Sequence, residues 1–171
     1  FRRGWSGFVE VMLGICRGIV ETVHTLRRVD PDILTMHVDA TDLYTSDDPA
    51  LVDDVHQRQE IVFLALDLVS GRITPEHPLW SWLRRYGATE THLMWFQERA
   101  IDLPVIGLNL YPMFTLKNGA HSARDGALRW RMPYASSDII DRLGTMYWER
   151  YRAPLWISET ASVGSVQRRR A

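Results

Sequence analysis

Three short apolar segments, each separated from the next by helix-like sequence, constrain the fold of this chain more than any other feature. They are Ile33-Leu34-Thr35-Met36-His37-Val38, Val105-Ile106-Gly107-Leu108-Asn109-Leu110 and Leu155-Trp156-Ile157-Ser158-Glu159. Each is too short for a stable helix, is dominated by apolar residues and is bounded by polar residues or proline. That is how a strand buried on both faces reads. Before the first segment, Phe8, Met12, Ile15, Ile19, Val23 and Leu26 recur at steps of three and four, one apolar helix face that Asp30-Pro31-Asp32 brings to an end. A second helix starts at Asp48-Pro49, with Asp48 as cap and Pro49 in the first turn. It carries Val52, Val55, Val62, Phe63, Leu66 and Val69 on one face and stops at Gly71. Two shorter helical pieces follow over 79–86 and 90–100, with Gly87 between them. Residues 117–135 read as a polar loop. Ser136 or Ser137 then caps a helix whose face is Ile139, Leu143, Met146 and Tyr147. Strands joined only through helices cannot be hairpins, so the order α-β-α-β-α-β predicts a parallel sheet with right-handed crossovers.

Charge and cysteine content exclude several classes of function. Twenty Lys and Arg against 21 Asp and Glu leave a net charge of −1, without the basic excess that phosphate-backbone recognition needs, so nucleic acid is not an expected partner. The single cysteine, Cys16, lies among Leu13, Ile15 and Ile19 and reads as a buried, inert thiol in a reducing compartment. No apolar stretch approaches the roughly 20 residues of a bilayer span, and the run over 8–23 is broken by Glu10, Arg17 and Glu21, unlike a signal peptide. The cytoplasm is the default location, and no membrane partner is expected.

In parallel α/β architectures the chemistry sits beyond the carboxyl ends of the strands. All three predicted strands end in polar residues: His37-Val38-Asp39 with Thr41-Asp42, Asn109-Leu110-Tyr111, and Ser158-Glu159-Thr160. Residues two apart share a strand face, which pairs His37 with Asp39 and Asn109 with Tyr111. If the sheet belongs to a barrel, both pairs and Glu159 converge on one rim. Glu159 is the sharpest of these residues, because a carboxylate directly after Leu-Trp-Ile-Ser is costly in a core unless it is paired or opens on a solvent-filled mouth. Two readings stand side by side: a cap or ion-pair carboxylate at a strand end, or a catalytic carboxylate with Tyr111 donating to it and Asn109 donating to a substrate hydroxyl.

These residues carry a family resemblance. Val105-Ile-Gly-Leu-Asn-Leu-Tyr-Pro resembles the sixth-strand signature of glycoside hydrolase family 1, Gly-x-Asn-Tyr-Tyr, which supplies a substrate-site Asn and a Tyr supporting the nucleophile. Arg150-Tyr-Arg-Ala-Pro-Leu-Trp-Ile-Ser-Glu-Thr resembles the seventh strand, Tyr-x-x-Pro-Ile-x-Ile-Thr-Glu-Asn-Gly, whose Glu is the nucleophile. Asn109, Tyr111 and Glu159 match residue by residue. Leu110 replaces the middle Tyr and Thr160-Ala161 stands where Asn-Gly is usual, so the resemblance extends to relatives in the same retaining clan. It implies part of a (β/α)8 barrel, from about helix 4 to strand 7. Residues 1–171 would be a single incomplete catalytic domain lacking strands 1–4 and 8. It implies hydrolysis of β-glycosides by a double displacement, with no cofactor and no metal, and a carbohydrate as partner. The family's acid/base Glu belongs to an Asn-Glu-Pro motif, and no Asn-Glu pair occurs in these residues. The segment from Phe1 to Trp5 is similar to the loop just after that motif, so the acid/base is expected upstream.

Weaker candidates remain. His37 and Asp39 could shape a sugar subsite or merely brace the rim, and a metal held by His37, Asp39 and Asp42 has no established ligand spacing behind it. Of seven tryptophans, Trp130 is the candidate sugar platform. Arg168-Arg169-Arg170 reads as the solvated start of another helix. Two rivals compete with the hydrolase: a barrel-derived domain that binds carbohydrate without turnover, and a small flavodoxin-like binding domain. Against the second, no Gly-rich phosphate loop follows any strand. A (β/α)8 barrel typically needs about 250 residues, so a chain of 171 is expected to be inactive alone and to expose apolar sheet edges. The sequence carries no signal for oligomeric state or sugar identity.

Overall fold

A computed structural model describes residues 4–163. The element order is α1 (Trp5–Val29), β1 (Met36–Ala40), β2 (Leu43–Thr45), a 3-10 turn (Pro49–Leu51) running into α2 (Val52–Val69), α3 (Trp80–Arg85), α4 (Glu90–Glu98), β3 (Val105–Asn109), β4 (Leu116–His121), β5 (Leu128–Arg131), α5 (Asp138–Tyr151) and β6 (Leu155–Glu159). The chain forms two compact units. One is built from the residues up to Thr35 with Glu60–Leu103, the other from Met36–Gln59 with the residues from Pro104 onward.

The first unit is helical. Val9, Cys16, Val20 and Val23 of α1 are buried with Leu64, Leu68 and Val69 of α2, Leu83 of α3, and Leu93 and Phe96 of α4. Of the apolar face predicted for the first helix only Val23 is buried: Phe8, Met12 and Ile19 pack at the edge of the core, and Ile15 and Leu26 are exposed. The buried stripe runs through Val9, Cys16, Val20 and Val23, with Cys16 fully inside and its thiol near the Ala65 carbonyl, at 3.9 Å. Gly71 ends α2 and Gly87 follows α3, both with positive φ (71° and 111°), the backbone region that glycine enters without penalty. Thr89 caps α4 by accepting from the His92 N–H, while His92 Nδ1 accepts from the Thr89 N–H in return. No helix is long and apolar enough to cross a membrane among the described residues.

The second unit holds a parallel sheet in the order β1-β3-β6. Ile106 and Leu108 of β3 are buried, as are Ile139, Leu143, Tyr147 and Tyr151 of α5, the helix between β3 and β6. The Tyr147 hydroxyl donates to buried Thr41 Oγ1 at 3.0 Å and so ties α5 to the end of β1. A smaller sheet, β2-β4-β5, follows the carboxyl ends of β1 and β3. In it β2 pairs parallel to β4, and β4 pairs antiparallel to β5.

The structure departs from the sequence expectations in several places. The first and third apolar segments, read as strands buried on both faces, form β1 and β6 at the edges of the three-stranded sheet and leave Met36, Val38, Trp156 and Ile157 exposed. The first strand begins at Met36 rather than at residue 33, because Asp30 accepts from the Asp32 N–H through its side chain and from the Ile33 N–H through its carbonyl, and this turn holds the preceding residues. The strand runs on to Ala40, so Asp39 is its penultimate residue. Within the predicted loop over 117–135, the structure has the β4-β5 hairpin. It turns on Gly126 (φ 66°), with the Asp125 carboxylate accepting from the Ala127 N–H. Lastly, neither expected serine caps α5: Ser137 has helical backbone and makes no side-chain cap bond, and Ser136 bonds to the Asp138 carboxylate instead. The arginines at 168–170 lie outside the described residues.

Candidate active site

The carboxyl ends of β3 and β6 bring three of the sequence-predicted residues together. Asn109 ends β3 and stands directly opposite Glu159, the last residue of β6. The Leu110 N–H donates to the Glu159 carbonyl at 2.9 Å, which fixes the Glu159 backbone to the start of the loop that carries Tyr111. Across this junction the Glu159 carboxylate raises the Tyr111 phenol above its usual pKa of 10.0, by hydrogen bonding first, then with desolvation and its negative charge adding to the rise. A tight turn steadies Tyr111: its N–H donates to the hydroxyl of buried Thr115, and the Thr115 N–H returns a bond to the Tyr111 carbonyl.

The pairing of β3 with β6 is not uniform. Ile106 faces Leu155, Gly107 faces Trp156 and Leu108 faces Ile157, but Asn109 faces Glu159, so Ser158 is an extra residue in β6. Such a bulge re-aims side chains and is common beside active sites. The Ser158 hydroxyl donates to Asn109 Oδ1 at 2.9 Å. It can do so because residue 107 has no side chain: a β-carbon there would lie 2.8 Å from Ser158 Oγ and 2.9 Å from Val38 Cγ2.

His37 and Asp39 are not brought to this cluster. The register pairs Val38 with Gly107 and Ala40 with Asn109, whereas His37 faces Ile106 and Asp39 faces Leu108. Directly opposed residues share a face, so His37 and Asp39 project on the side of buried Ile106 and Leu108, opposite to Asn109. Their side chains stand 3.9 Å apart, with that of His37 only 9% exposed. The i, i+2 rule places two residues of one strand on one face, but only register says which face of the next strand they meet. Trp130 lies in the smaller sheet, its ring over Gly119 and edge-to-face with Tyr44 at 4.9 Å, with the Arg58 guanidinium 6.0 Å from its centre. The ring is thus engaged in packing rather than presented as an open platform. Asp42 pairs with Lys117 at 3.3 Å, and its carboxyl is held above the usual range by burial, which outweighs the lysine.

Sequence reasoning missed a second titratable cluster, Glu60, Asp67 and His77 of the helical unit, whose ligand atoms lie within 4.8 Å of one another. Its hydrogen bonds define its state. The Leu79 N–H can only donate, so His77 Nδ1 accepts, and Nε2 carries the proton that it gives to Asp67 at 3.2 Å. Binding a cation at Nε2 would displace that proton. A groove of about 520 Å³ in the same unit runs between α1 and α4, lined by Glu10, Arg17, Tyr86, His92 and Trp95 among others. It contains none of the strand-end residues, and Arg17 and Arg99 already lie 4.8 and 5.3 Å from the Trp95 ring centre.

Parallel strands in the order β1-β3-β6, joined through helices and carrying polar residues at their carboxyl ends, have the fold of part of a (β/α)8 barrel. No closed barrel is found among the described residues. Solved structures similar to it include β-glucosidases and a virulence factor. A family 1 β-glucosidase from Thermotoga maritima matches with a TM-score of 0.69 at 16% identity, over 91% of this chain and 38% of that one. The virulence factor SghA from Agrobacterium tumefaciens matches with a TM-score of 0.70 at 19% identity, over 96% of this chain and 40% of that one. SghA has also been solved with its substrate analogue salicin. The chain thus spans about two fifths of the length of these neighbours. No protein-family model and no curated protein matches the sequence.

Proposed function

We propose that this chain carries the nucleophile side of a retaining β-glycosidase site, acting on β-glucosides or related β-glycosides. The observation that carries the reading is the pairing of Asn109 directly opposite Glu159 at adjacent strand ends, with Tyr111 two residues beyond Asn109 and its phenol pKa raised by the Glu159 carboxylate. Glu159 attacks the anomeric carbon as the glycosidic C1–O bond breaks and the aglycone leaves with a proton from a second carboxyl group. Water, giving its proton back to that carboxylate, then displaces Glu159 and releases the sugar. A carboxylate that must attack needs its charge kept and its orientation fixed, and a phenol donor serves both needs without supplying a competing cation. Asn109 donates to a substrate hydroxyl. A retaining double displacement requires a second carboxylate about 5–5.5 Å from the first. This reading assigns it to an Asn-Glu strand end, a dipeptide absent from these residues.

The fold likeness to β-glucosidases supports this reading, as does the match of Asn109, Tyr111 and Glu159 to the family 1 signatures. The test is aryl β-glucoside hydrolysis by the complete reading frame that encodes the chain, beside its Glu159→Gln variant. Turnover in the parent and none in the variant is expected. Equal turnover in both refutes the nucleophile assignment. A parent that binds the glucoside without hydrolysing it favours the carbohydrate-binding alternative.

A further inference from the structure

We propose that Ser158 is a positioning residue of this site, which holds the Asn109 amide in one orientation so that its NH2 group faces substrate. The proposal rests on the glycosidase reading above, because only a bound sugar gives that orientation a purpose. Its structural part stands on three independent features. First, Ser158 lies two residues beyond Trp156, which faces Gly107, so alternation sets its side chain on the face of Gly107 and Asn109, while the bulge leaves it without a partner of its own in the β3 register. Second, Gly107 vacates the space the Ser158 hydroxyl occupies: any β-carbon at 107 would meet Ser158 Oγ at 2.8 Å and Ser158 Cβ at 3.1 Å. Third, the hydroxyl uses that space to donate to Asn109 Oδ1 at 2.9 Å.

The chemical consequence concerns the amide rather than the carboxylate. An asparagine side chain offers an acceptor at one end and two donors at the other, and a half-turn exchanges them. With Oδ1 engaged by Ser158, both Nδ2 protons are directed away from the bulge and can donate only to other acceptors. Sugar hydroxyls accept such bonds. By donating to Oδ1, Ser158 anchors the amide at that end and leaves its NH2 end for other acceptors.

The sequence makes this directly measurable, since Asn109 and Asn118 are its only asparagines. Selective 15N-asparagine labelling of the chain gives two side-chain NH2 pairs by NMR, assigned with Asn109→Asp. Asn118 serves as the internal control, because its amide bonds to Thr45 Oγ1 in the smaller sheet. Ser158→Ala is expected to move or exchange-broaden the Asn109 pair and leave the Asn118 pair in place, and Ser158→Thr, which keeps the hydroxyl, restores it. An Asn109 pair unchanged in Ser158→Ala overturns the proposal. A second arm uses dinitrophenyl β-glucoside. Its C1–O bond breaks as the Glu159 oxygen–C1 bond forms, the electron pair leaving on the phenolate without need of an acid. The covalent adduct is read by intact mass. Ser158→Ala should slow adduct formation at saturating sugar about tenfold, the loss expected of one oriented hydrogen bond, with Ser158→Thr near the parent rate. Adduct formation at the parent rate in Ser158→Ala also overturns the proposal. A parent that forms no adduct, while its Asn109 amide still responds to Ser158→Ala, refutes the glycosidase reading and supports the positioning role.

Discussion

Gly107→Ala tests how the centre of the parallel sheet is built. The added methyl would sit 2.8 Å from Ser158 Oγ, 2.9 Å from Val38 Cγ2 and 3.1 Å from Ser158 Cβ, so strands on both sides of β3 are affected. The first contact can be relieved by rotating the hydroxyl, at the cost of its 2.9 Å bond to Asn109, worth about 0.5–1.5 kcal/mol. Relieving the second requires Val38, a β-branched residue with a stiff χ1, to leave its rotamer, for about 0.5–1.5 kcal/mol. The third cannot be removed by rotation and needs a small shift of β6. The sum is a destabilisation of about 1–3 kcal/mol, the usual range for overpacking. Urea unfolding followed by tryptophan fluorescence should show a lower midpoint with an unchanged m-value. Repeating the substitution in a Val38→Ala/Ser158→Ala background removes the two shortest contacts, so most of the cost should vanish there. A Gly107→Ala protein within about 0.5 kcal/mol of the parent, or one whose cost is the same in that background, refutes the argument.

Two further outcomes follow from the same geometry. Gly71→Ala places a side chain at φ 71° and its β-carbon 2.8 Å from Ala100 Cβ, in the helical unit. It should cost about 1–2 kcal/mol for the left-handed backbone and a further 1–3 kcal/mol, about the range of overpacking, read as a lower urea midpoint. Spectrophotometric titration should find the Tyr111 phenol ionising above the ordinary tyrosine value, and Glu159→Gln should return it toward that value, since the charged acceptor is the first cause of the rise. The sign follows from linkage: a phenol whose pKa is raised on folding contributes stability that is complete below its unfolded pKa and is lost as pH climbs through the folded one. That loss should therefore appear only in strongly alkaline solution, and should be smaller in Glu159→Gln.

What was legible in the sequence was what one strand can report about itself. Apolar runs marked the three parallel strands, but only β3 is buried as its run suggests, through Ile106 and Leu108. Met36 and Val38 of β1 and Trp156 and Ile157 of β6 are exposed, because these strands flank β3 in the three-stranded sheet. Polar strand ends marked Asn109 and Glu159, and the β3-β6 register sets these two directly opposite each other. Glu159 is exposed, so burial does not demand a partner for it. The smaller sheet was illegible. Lys117, Asn118, Gly119, His121, Arg129 and Arg131 are not residues that favour strands, and they pair because Gly119 leaves room for the Trp130 ring, not because of their own propensity.

Facing was illegible for a different reason: it belongs to pairs of strands. His37 and Asp39 share a face with each other, as spacing alone says, yet β1 pairs with β3 in a register that sets Ala40, not Asp39, beside Asn109. A single-residue slip would have reversed this, since alternation has period two. The same arithmetic governs Glu159. Continued without interruption from Leu108–Ile157, the β3-β6 register would set Ser158 against Asn109 and carry Glu159 on to Leu110. The bulge absorbs one residue and brings Glu159 opposite Asn109, while Ser158, on the face of Asn109 by alternation, remains close enough to donate to its amide. The irregularity in pairing thus sets the position of the acid beside a serine–asparagine contact, and this cannot be inferred from β3 or β6 taken singly.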